Sequence, residues 1–303
     1  MPQTREHLAI LDLLEVRAGV VALTKADLAE SQDWLELVSA DISETLEGTV
    51  LAGAPIIPVS ARSGQGLDQL VLALQSVLEK VEPRPDRGQP RLPVDRVFSI
   101  SGFGTVVTGT LSGGRFALGQ EVEVLPRGLR GRIRGLQTHK SQVNYVQPGS
   151  RVAINLTGIS KADLKRGDVV TLPGWLRPTQ LVDVQLRYLP DGRWPLEHNA
   201  ELKFFSGAAE TVARLRLLGR DALLPGETGW AQLRLEDPLA LVKGDRFIVR
   251  VPSPPLTVGG GTVVDPHPGR AHRRFRPEVI MRLETLARAP DGDPRPCHRR
   301  RSE

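Results

Sequence analysis

The spacing of apolar positions changes along the chain. In the first part it is helical. Leu8, Leu11 and Leu14 share one helical face, Gly19 closes that helix, and Val20, Val21, Ala22 and Leu23 form a short run that reads as a buried strand. Ser31 stands where it can cap a second helix, whose stripe is Leu35, Val38, Ile42 and Leu46. Ile56, Ile57, Pro58 and Val59 form a second apolar strand. Leu67, Leu70, Val71, Leu74, Val77, Leu78 and Val81 then predict a third helix. Short apolar strands alternating with amphipathic helices predict a parallel α/β sheet. Two strands are few for such a sheet, so residues 1–82 are expected to be the C-terminal part of a larger domain.

Residues 83–90, PRPDRGQP, read as a Pro-rich linker. From Arg91 the period drops to two. Strands are predicted over 93–100, 104–111, 120–125, 131–138, 151–157 and 168–172, and the first all-β domain is expected over 91–175. A second begins near Thr179, where Leu181, Asp183, Gln185 and Arg187 alternate with Val182, Val184, Leu186 and Tyr188. It continues through 200–205, 210–219, 228–235 and 246–251 and closes on PSPPLTVGGGTVVDP, giving an expected domain over 178–266. The pattern predicts antiparallel barrels or sandwiches. Residues 276–288 read as a short helix within a linking segment, 270–289. Residues 290–303 carry no periodicity and read as an irregular basic tail.

Composition narrows the function classes. The chain has 303 residues, with 40% hydrophobic residues but only 4% aromatic, which argues against broad aromatic platforms for stacking bases. A formal charge of +5 and a pI near 9.7 suit a polyanionic partner. Arg270, His272, Arg273, Arg274, Arg276, Arg299, Arg300 and Arg301 concentrate that charge near the C-terminus. Cys297 is the single cysteine, so no intramolecular disulfide can form, in keeping with a cytoplasmic setting. No apolar stretch is long enough to span a bilayer, and no membrane partner is expected. No His, Cys, Asp and Glu cluster has metal-ligand spacing, so no metal site is expected.

Two short motifs carry the candidate chemistry. Thr24, Lys25, Ala26 and Asp27 directly follow one strand; Ser60, Ala61 and Arg62 directly follow the other. In an open parallel sheet, ligands bind at the carboxyl ends of the strands. Asp27 can accept both neighbouring donors of a guanine, the stem of Lys25 can cover its face, and the Ala61 N–H can donate to its O6. Either motif alone is also what an ordinary capped turn looks like. The phosphate side is missing from this sequence: no G-x-x-x-x-G-K-S/T occurs, no D-x-x-G precedes the first helix, and Val258-Gly259-Gly260-Gly261 lacks the Lys and the following helix.

MPQTREHLAILDLL followed by VVALTKADL resembles the selenocysteine-specific translation elongation factors, the SelB family of translational GTPases, which carry Thr where many GTPases carry Asn, as at Thr24. The resemblance continues through Leu92-Pro93-Val94-Asp95-Arg96-Val97-Phe98 and Gly102-Phe103-Gly104-Thr105-Val106-Val107-Thr108-Gly109-Thr110, then through Gly135 to His139, Gly149 to Asn155 and Arg166-Gly167-Asp168. It ends at Asp245 to Arg250 and Gly259 to Pro266. It implies an α/β partial GTPase domain followed by two antiparallel β-barrels, translation-factor domains 2 and 3. It implies a GTP-dependent carrier of selenocysteyl-tRNA to the ribosome, with Mg²⁺ in the full-length member but no ligands for it retained here. Asp95, Arg96 and Arg151 stand at the positions of the family's selenocysteine pocket, with His139 a further candidate. Phe98 is expected in the barrel core and Phe103 at its rim; Trp194 and Trp230 are expected to pack in the third domain. The family's mRNA hairpin is held by winged-helix domains that follow; the chain is expected to be truncated at both ends. A non-catalytic RNA-binding fragment, or another EF-Tu-like translation factor, is the alternative.

Overall fold

Ser31 caps a helix: its hydroxyl oxygen accepts a hydrogen bond from the Trp34 N–H at 3.2 Å. The computed structural model describes residues 2–16, 18–102 and 104–289, so Phe103 and the tail over 290–303 lie outside the described residues. The chain divides into two units, Met1–Pro83 and Arg84–Glu303.

The first unit contains α1 (Pro2–Leu13), β1 (Val21–Thr24), α2 (Gln32–Leu46), β2 (Ile56–Val59) and α3 (Leu67–Glu79). The two strands are parallel, with Val21 opposite Ile56 and Thr24 opposite Val59, so both end on the same rim. Gly66 starts α3 beneath β2, where any Cβ would collide with the Pro58 carbonyl. A two-stranded sheet offers little surface, and α3 buries none of its residues despite its apolar stripe.

The second unit opens with β3 (Arg91–Pro93), β4 (Arg96–Ile100), β5 (Gly104–Thr110), β6 (Glu121–Leu125), β7 (Leu129–Thr138), β8 (Arg151–Thr157) and β9 (Val169–Thr171). The antiparallel order is β3-β9-β6-β7-β8-β5-β4, with a short strand, Ser141–Val143, hairpinned onto β7. The period predicts one strand over 93–100; the structure bends it. The Val94 N–H donates to the Asp168 carbonyl at 2.8 Å, while the Asp95 N–H donates to the Thr108 carbonyl at 2.9 Å. One bent segment thus supplies both edges of the sheet, and Asp95 sits at its corner. Leu92, Val107, Phe116, Ile133, Ile154 and Val170 fill the core. Phe98 is not among them: Val97 packs inward, so strand alternation turns Phe98 outward, where it is 39% exposed.

The next six strands close into a barrel: β10 (Thr179–Tyr188), β11 (Glu201–Ser206), β12 (Ala209–Leu217), β13 (Thr228–Leu239), β14 (Arg246–Val251) and β15 (Leu256–Asp265), in the order β10-β13-β12-β11-β14-β15. Phe204 and Phe247 stack at its centre with centroids 5.1 Å apart. Helix α4 (Pro277–Arg288) packs Val279, Ile280, Leu283 and Leu286 against Leu218, Trp230 and Val264. Trp230 therefore packs in the third domain, whereas Trp194 is 40% exposed. The two β domains are joined by Arg91, whose guanidinium donates twice to the Asp245 carboxylate at 2.8 Å, and by an apolar seam of Leu125, Val169, Leu176 and Ala240. The second half of the Pro-rich stretch is pinned to the first β domain: Gln89 N–H donates to the Gly113 carbonyl at 3.0 Å and Arg115 pairs with Asp86 at 2.7 Å. No helix among the described residues is long and apolar enough to cross a membrane.

Candidate functional site

The parallel register places two loops side by side at the ends of β1 and β2. After Thr24, Lys25 adopts φ 62°, a left-handed conformation costly for a side-chain-bearing residue, and starts a 3-10 turn, Ala26–Leu28. Ala26 is buried and anchors that turn; Lys25 and Asp27 are exposed. The Asp27 carboxylate has no hydrogen-bond partner among the described residues. After Val59, Ser60 is buried and organises its loop. Its N–H donates to the Gln65 carbonyl at 2.9 Å, its carbonyl accepts from Gly64 N–H at 2.9 Å, and its hydroxyl accepts from Ser63 N–H at 3.2 Å. Ala61 and Arg62 are exposed, and the Ala61 N–H meets no acceptor among the described residues. A bare carboxylate and a bare N–H thus share one rim. That set complements guanine, which presents two donors beside an acceptor, and does not complement adenine, which presents an amine where guanine has O6. Gly66 is a part of this loop that the motif reading passed over, although S-A-R-S-G-Q-G carries its signal.

The second cluster lies on the outer face of the first β domain. Arg96 is opposite Thr108, Thr108 is opposite Ala153, and Thr110 is opposite Arg151, so all share one face. Arg151 grips Asp95 with both nitrogens, Nη1 to Oδ2 at 2.5 Å and Nη2 to Oδ1 at 3.1 Å, and the Thr108 hydroxyl donates to Oδ1 at 2.7 Å. Partial burial pushes the Asp95 carboxyl up. The hydrogen bonds from Arg151 and Thr108 and the charges of Arg151 and Arg96 outweigh it and hold the group below the usual carboxylate value. Arg151 is raised in turn by the Asp95 hydrogen bond and charge. Arg96 is exposed, and its guanidinium makes no ion pair or hydrogen bond among the described residues. His139 and Lys140 form a hairpin tip beside this cluster with φ 50° and 65°. The Thr138 hydroxyl hydrogen-bonds the Arg151 carbonyl at 3.0 Å and lies 3.1 Å from His139 Nδ1. Motif reading found neither Thr108 nor Thr138; strand alternation, which puts Thr108 on the face of Arg151, could have found the first, whereas Thr138 is one residue out of that phase.

A groove of about 920 Å³ runs along the same sheet. Ile100, Val106 and Leu118 give it apolar walls, while Arg134, Gln137 and Asn155 bring polar groups. The Asn155 Oδ1 is buried without a partner among the described residues, an acceptor left for a ligand. Gln137 is opposite Ala153, two residues from Arg151, so groove and ion pair adjoin.

Three family descriptions match in chain order: the elongation factor Tu GTP-binding domain over residues 1–80, elongation factor Tu domain 2 over 104–171, and the beta-barrel domain of selenocysteine-specific elongation factor over 181–270. The selenocysteine-specific elongation factor of Desulfomicrobium baculatum is 46% identical over 289 residues, which is 95% of this chain and 45% of that protein. The chain belongs to the selenocysteine-specific elongation factor family. It spans less than half the length of that relative. Among solved members, translation elongation factor SelB from Methanococcus maripaludis in its apo form superposes with a TM-score of 0.78 at 25% identity, covering 88% of this chain and 62% of that one. A bacterial selenocysteine-specific factor, EF-Sec, gives 0.81 at 25% identity, covering 95% and 46%. The family fold of GTP-binding domain, domain 2 and barrel accounts for all three parts of the chain.

Proposed function

We propose that the protein delivers selenocysteyl-tRNA to the ribosome in a GTP-dependent way, with the base of GTP held by Thr24, Lys25, Asp27, Ser60, Ala61 and Arg62, and the selenocysteyl side chain by Arg96 and Arg151. The division into a GTP-binding part over 1–82 and β domains over 91–175 and 178–266 belongs to the same reading, supported by the order of the family matches. The work would be cytoplasmic, where ribosomes translate, and any mRNA hairpin would be held by parts beyond those matched here.

The carrying observation is the Asp95–Arg151 ion pair with the unpaired Arg96 on the same face, beside a groove of about 920 Å³. A selenol is more acidic than a thiol, whose unperturbed pKa is about 8.5, so at neutral pH a selenocysteyl side chain is an anion while serine and cysteine are neutral. Two guanidinium groups against one carboxylate leave a net positive site, and arginine keeps its charge throughout. Asp95 holds Arg151 in a fixed orientation; Arg96 remains free to meet the anion. Charge-assisted hydrogen bonds are worth about 1.5–3 kcal/mol each, so two supply roughly a hundredfold preference or more. The groove alongside would take the terminal nucleoside of the tRNA, its base between the apolar walls and its polar edge toward Gln137 and Asn155.

The test compares protection of the aminoacyl ester from hydrolysis for selenocysteyl-tRNA and seryl-tRNA on the same tRNA body, with Arg96→Ala and Arg151→Ala. A loss confined to the selenocysteyl form is expected. An equal loss for both forms would show that the arginines merely contact phosphates, and the pocket assignment would fall.

A further inference from the structure

The basic run after the closed barrel is uniform in sequence but not in space. Two of its members hold the segment down. His272 is buried: its Nε2 lies 2.7 Å from the Asp183 carboxylate, its N–H donates to Gln232 Oε1 at 3.1 Å, and its carbonyl accepts from Arg216 Nε at 2.8 Å. Arg274 donates to the carbonyls of Leu217 at 3.0 Å and Arg220 at 2.9 Å and to Asp221 at 2.7 Å. Arg270, Arg273 and Arg276 are exposed, and their guanidinium groups make no ion pair or hydrogen bond among the described residues. No acid stands between Asp265 and Glu278, so nothing local in sequence neutralises them.

Phe275 lies between Arg273 and Arg276 in sequence. It is 52% exposed in a chain with few aromatics, so it contributes little to the core. It holds φ 57°, a conformation a bulky residue occupies only when its surroundings impose it. Those surroundings are visible: the Phe275 N–H donates to the Leu218 carbonyl at 2.6 Å, and the anchored Arg274 guanidinium lies 4.6 Å from the ring centroid. The ring is backed by a fixed cation and about half of the residue stays exposed, so stacking there costs little ordering.

We propose that Phe275 and the guanidinium groups of Arg270, Arg273 and Arg276 form an RNA-binding surface, separate from the groove of the first β domain, that stacks an unpaired base on Phe275 and grips the flanking phosphates. An acidic peptide would answer the charges but leave the ring bare, whereas a nucleotide supplies a flat π-face and an anion together. The surface selects an exposed base over a closed duplex, because only an unstacked base can reach the ring.

The experiment uses the full chain, a short RNA hairpin bearing one bulged adenine, and the same hairpin fully paired, read by fluorescence anisotropy across a salt series. Wild type is expected to favour the bulged hairpin by roughly tenfold or more, the size of one stacking contact. Phe275→Gly is the informative variant, because glycine accepts φ 57° without strain. It should lose the preference while its melting temperature stays level or rises, and Arg151→Ala should keep the preference. Arg273→Ser with Arg276→Ser should weaken both RNAs and lower the salt slope by about two. A bulge preference that survives Phe275→Gly, a melting temperature that drops in that variant, or competition by poly-glutamate as effective per charge as RNA would each overturn the proposal.

Discussion

Asp95 and Asp168 lie within hydrogen-bonding reach of one bent segment of chain, yet their surroundings move them in opposite directions. At Asp95 the raising effect of partial burial loses to Arg151, Thr108 and Arg96, so the carboxyl is lowered. Its pairing therefore stabilises the fold above its unfolded pKa of about 3.9, and that stabilisation is lost as pH falls through the lower folded value. Because more than half of the Arg151 side chain faces water, the pair contributes less than about 1 kcal/mol. Its worth lies in orientation. At Asp168 burial dominates: the Lys165 N–H at 2.8 Å and the charges of Arg127 and Lys165 offset it only in part, the carboxyl is raised, and its Oδ1 has no partner among the described residues. A raised acid favours the folded state below its unfolded pKa. That advantage is lost as pH rises through the folded value, so ionised Asp168 costs stability at neutral pH. Asp168→Asn keeps an acceptor for Lys165 and removes the charge. Urea midpoints should show the variant more stable than wild type at pH 7, with the gap closing below about pH 4. A variant weaker at pH 7 would mean that Arg127, 3.8 Å away, outweighs the burial.

Among the elements, the glycine run of β15 shows what periodicity leaves out. In sequence, Gly259, Gly260 and Gly261 look like a phosphate loop without its lysine. In the barrel they let β15 pass close to β10: a Cβ on Gly259 would strike the Arg187 carbonyl, and one on Gly261 the Gln185 carbonyl. Gly261→Ala should cost at least about 1–3 kcal/mol through forced backbone shifts, read as a lower midpoint in thermal unfolding of the β domains. Gly269→Ala, where a Cβ would meet nothing within 4 Å, is the control. Strands and helices set by local period were legible: Ser31 announced α2, and alternation announced β10 and β13. The break between β3 and β4 was not, because it depends on Val94 and Asp95 choosing different partner strands, a choice made only once β9 and β5 are in place. The same limit applies to the site. Spacing alone cannot bring Asp95 to Arg151, 56 residues away; three strands in register do so, and only resemblance to a family pointed at the pair beforehand. The basic run over 270–276 shows the reverse error, where one composition conceals two anchors and three free cations.

At the scale of the whole chain, the two units differ in how much apolar surface each covers. In Met1–Pro83 the described buried apolar side chains are Leu13, Ala26, Leu35, Leu46 and Val59, while Trp34, Leu37, Leu67, Val71, Leu72 and Leu78 stay exposed. The closed barrel buries Val182, Val184, Leu186, Leu202, Phe204, Leu215, Leu233, Phe247 and Val249 in one continuous cluster, and every one of its strands has two neighbours. Each buried aliphatic or aromatic side chain contributes about 1.5–3 kcal/mol, so the barrel has several times the driving force of the first unit to set against the ordering of its backbone. Among the described residues, strands β1 and β2 also keep one hydrogen-bonding edge each without a partner strand, and α3 leaves most of its apolar stripe exposed. Opening of the first unit should therefore be far cheaper than opening of the barrel. Native-state hydrogen exchange on the isolated chain checks this directly: amides over 21–24 and 56–59 are expected to exchange through local opening while those over 182–188 and 247–249 remain protected to the level of global unfolding. If a purified guanine nucleotide slows exchange at 24–28 and 60–65 without changing the barrel, the rim is formed and occupied. Equal protection in both units without nucleotide would mean that five buried side chains stabilise the parallel pair as well as a full barrel core does, which the burial arithmetic does not allow.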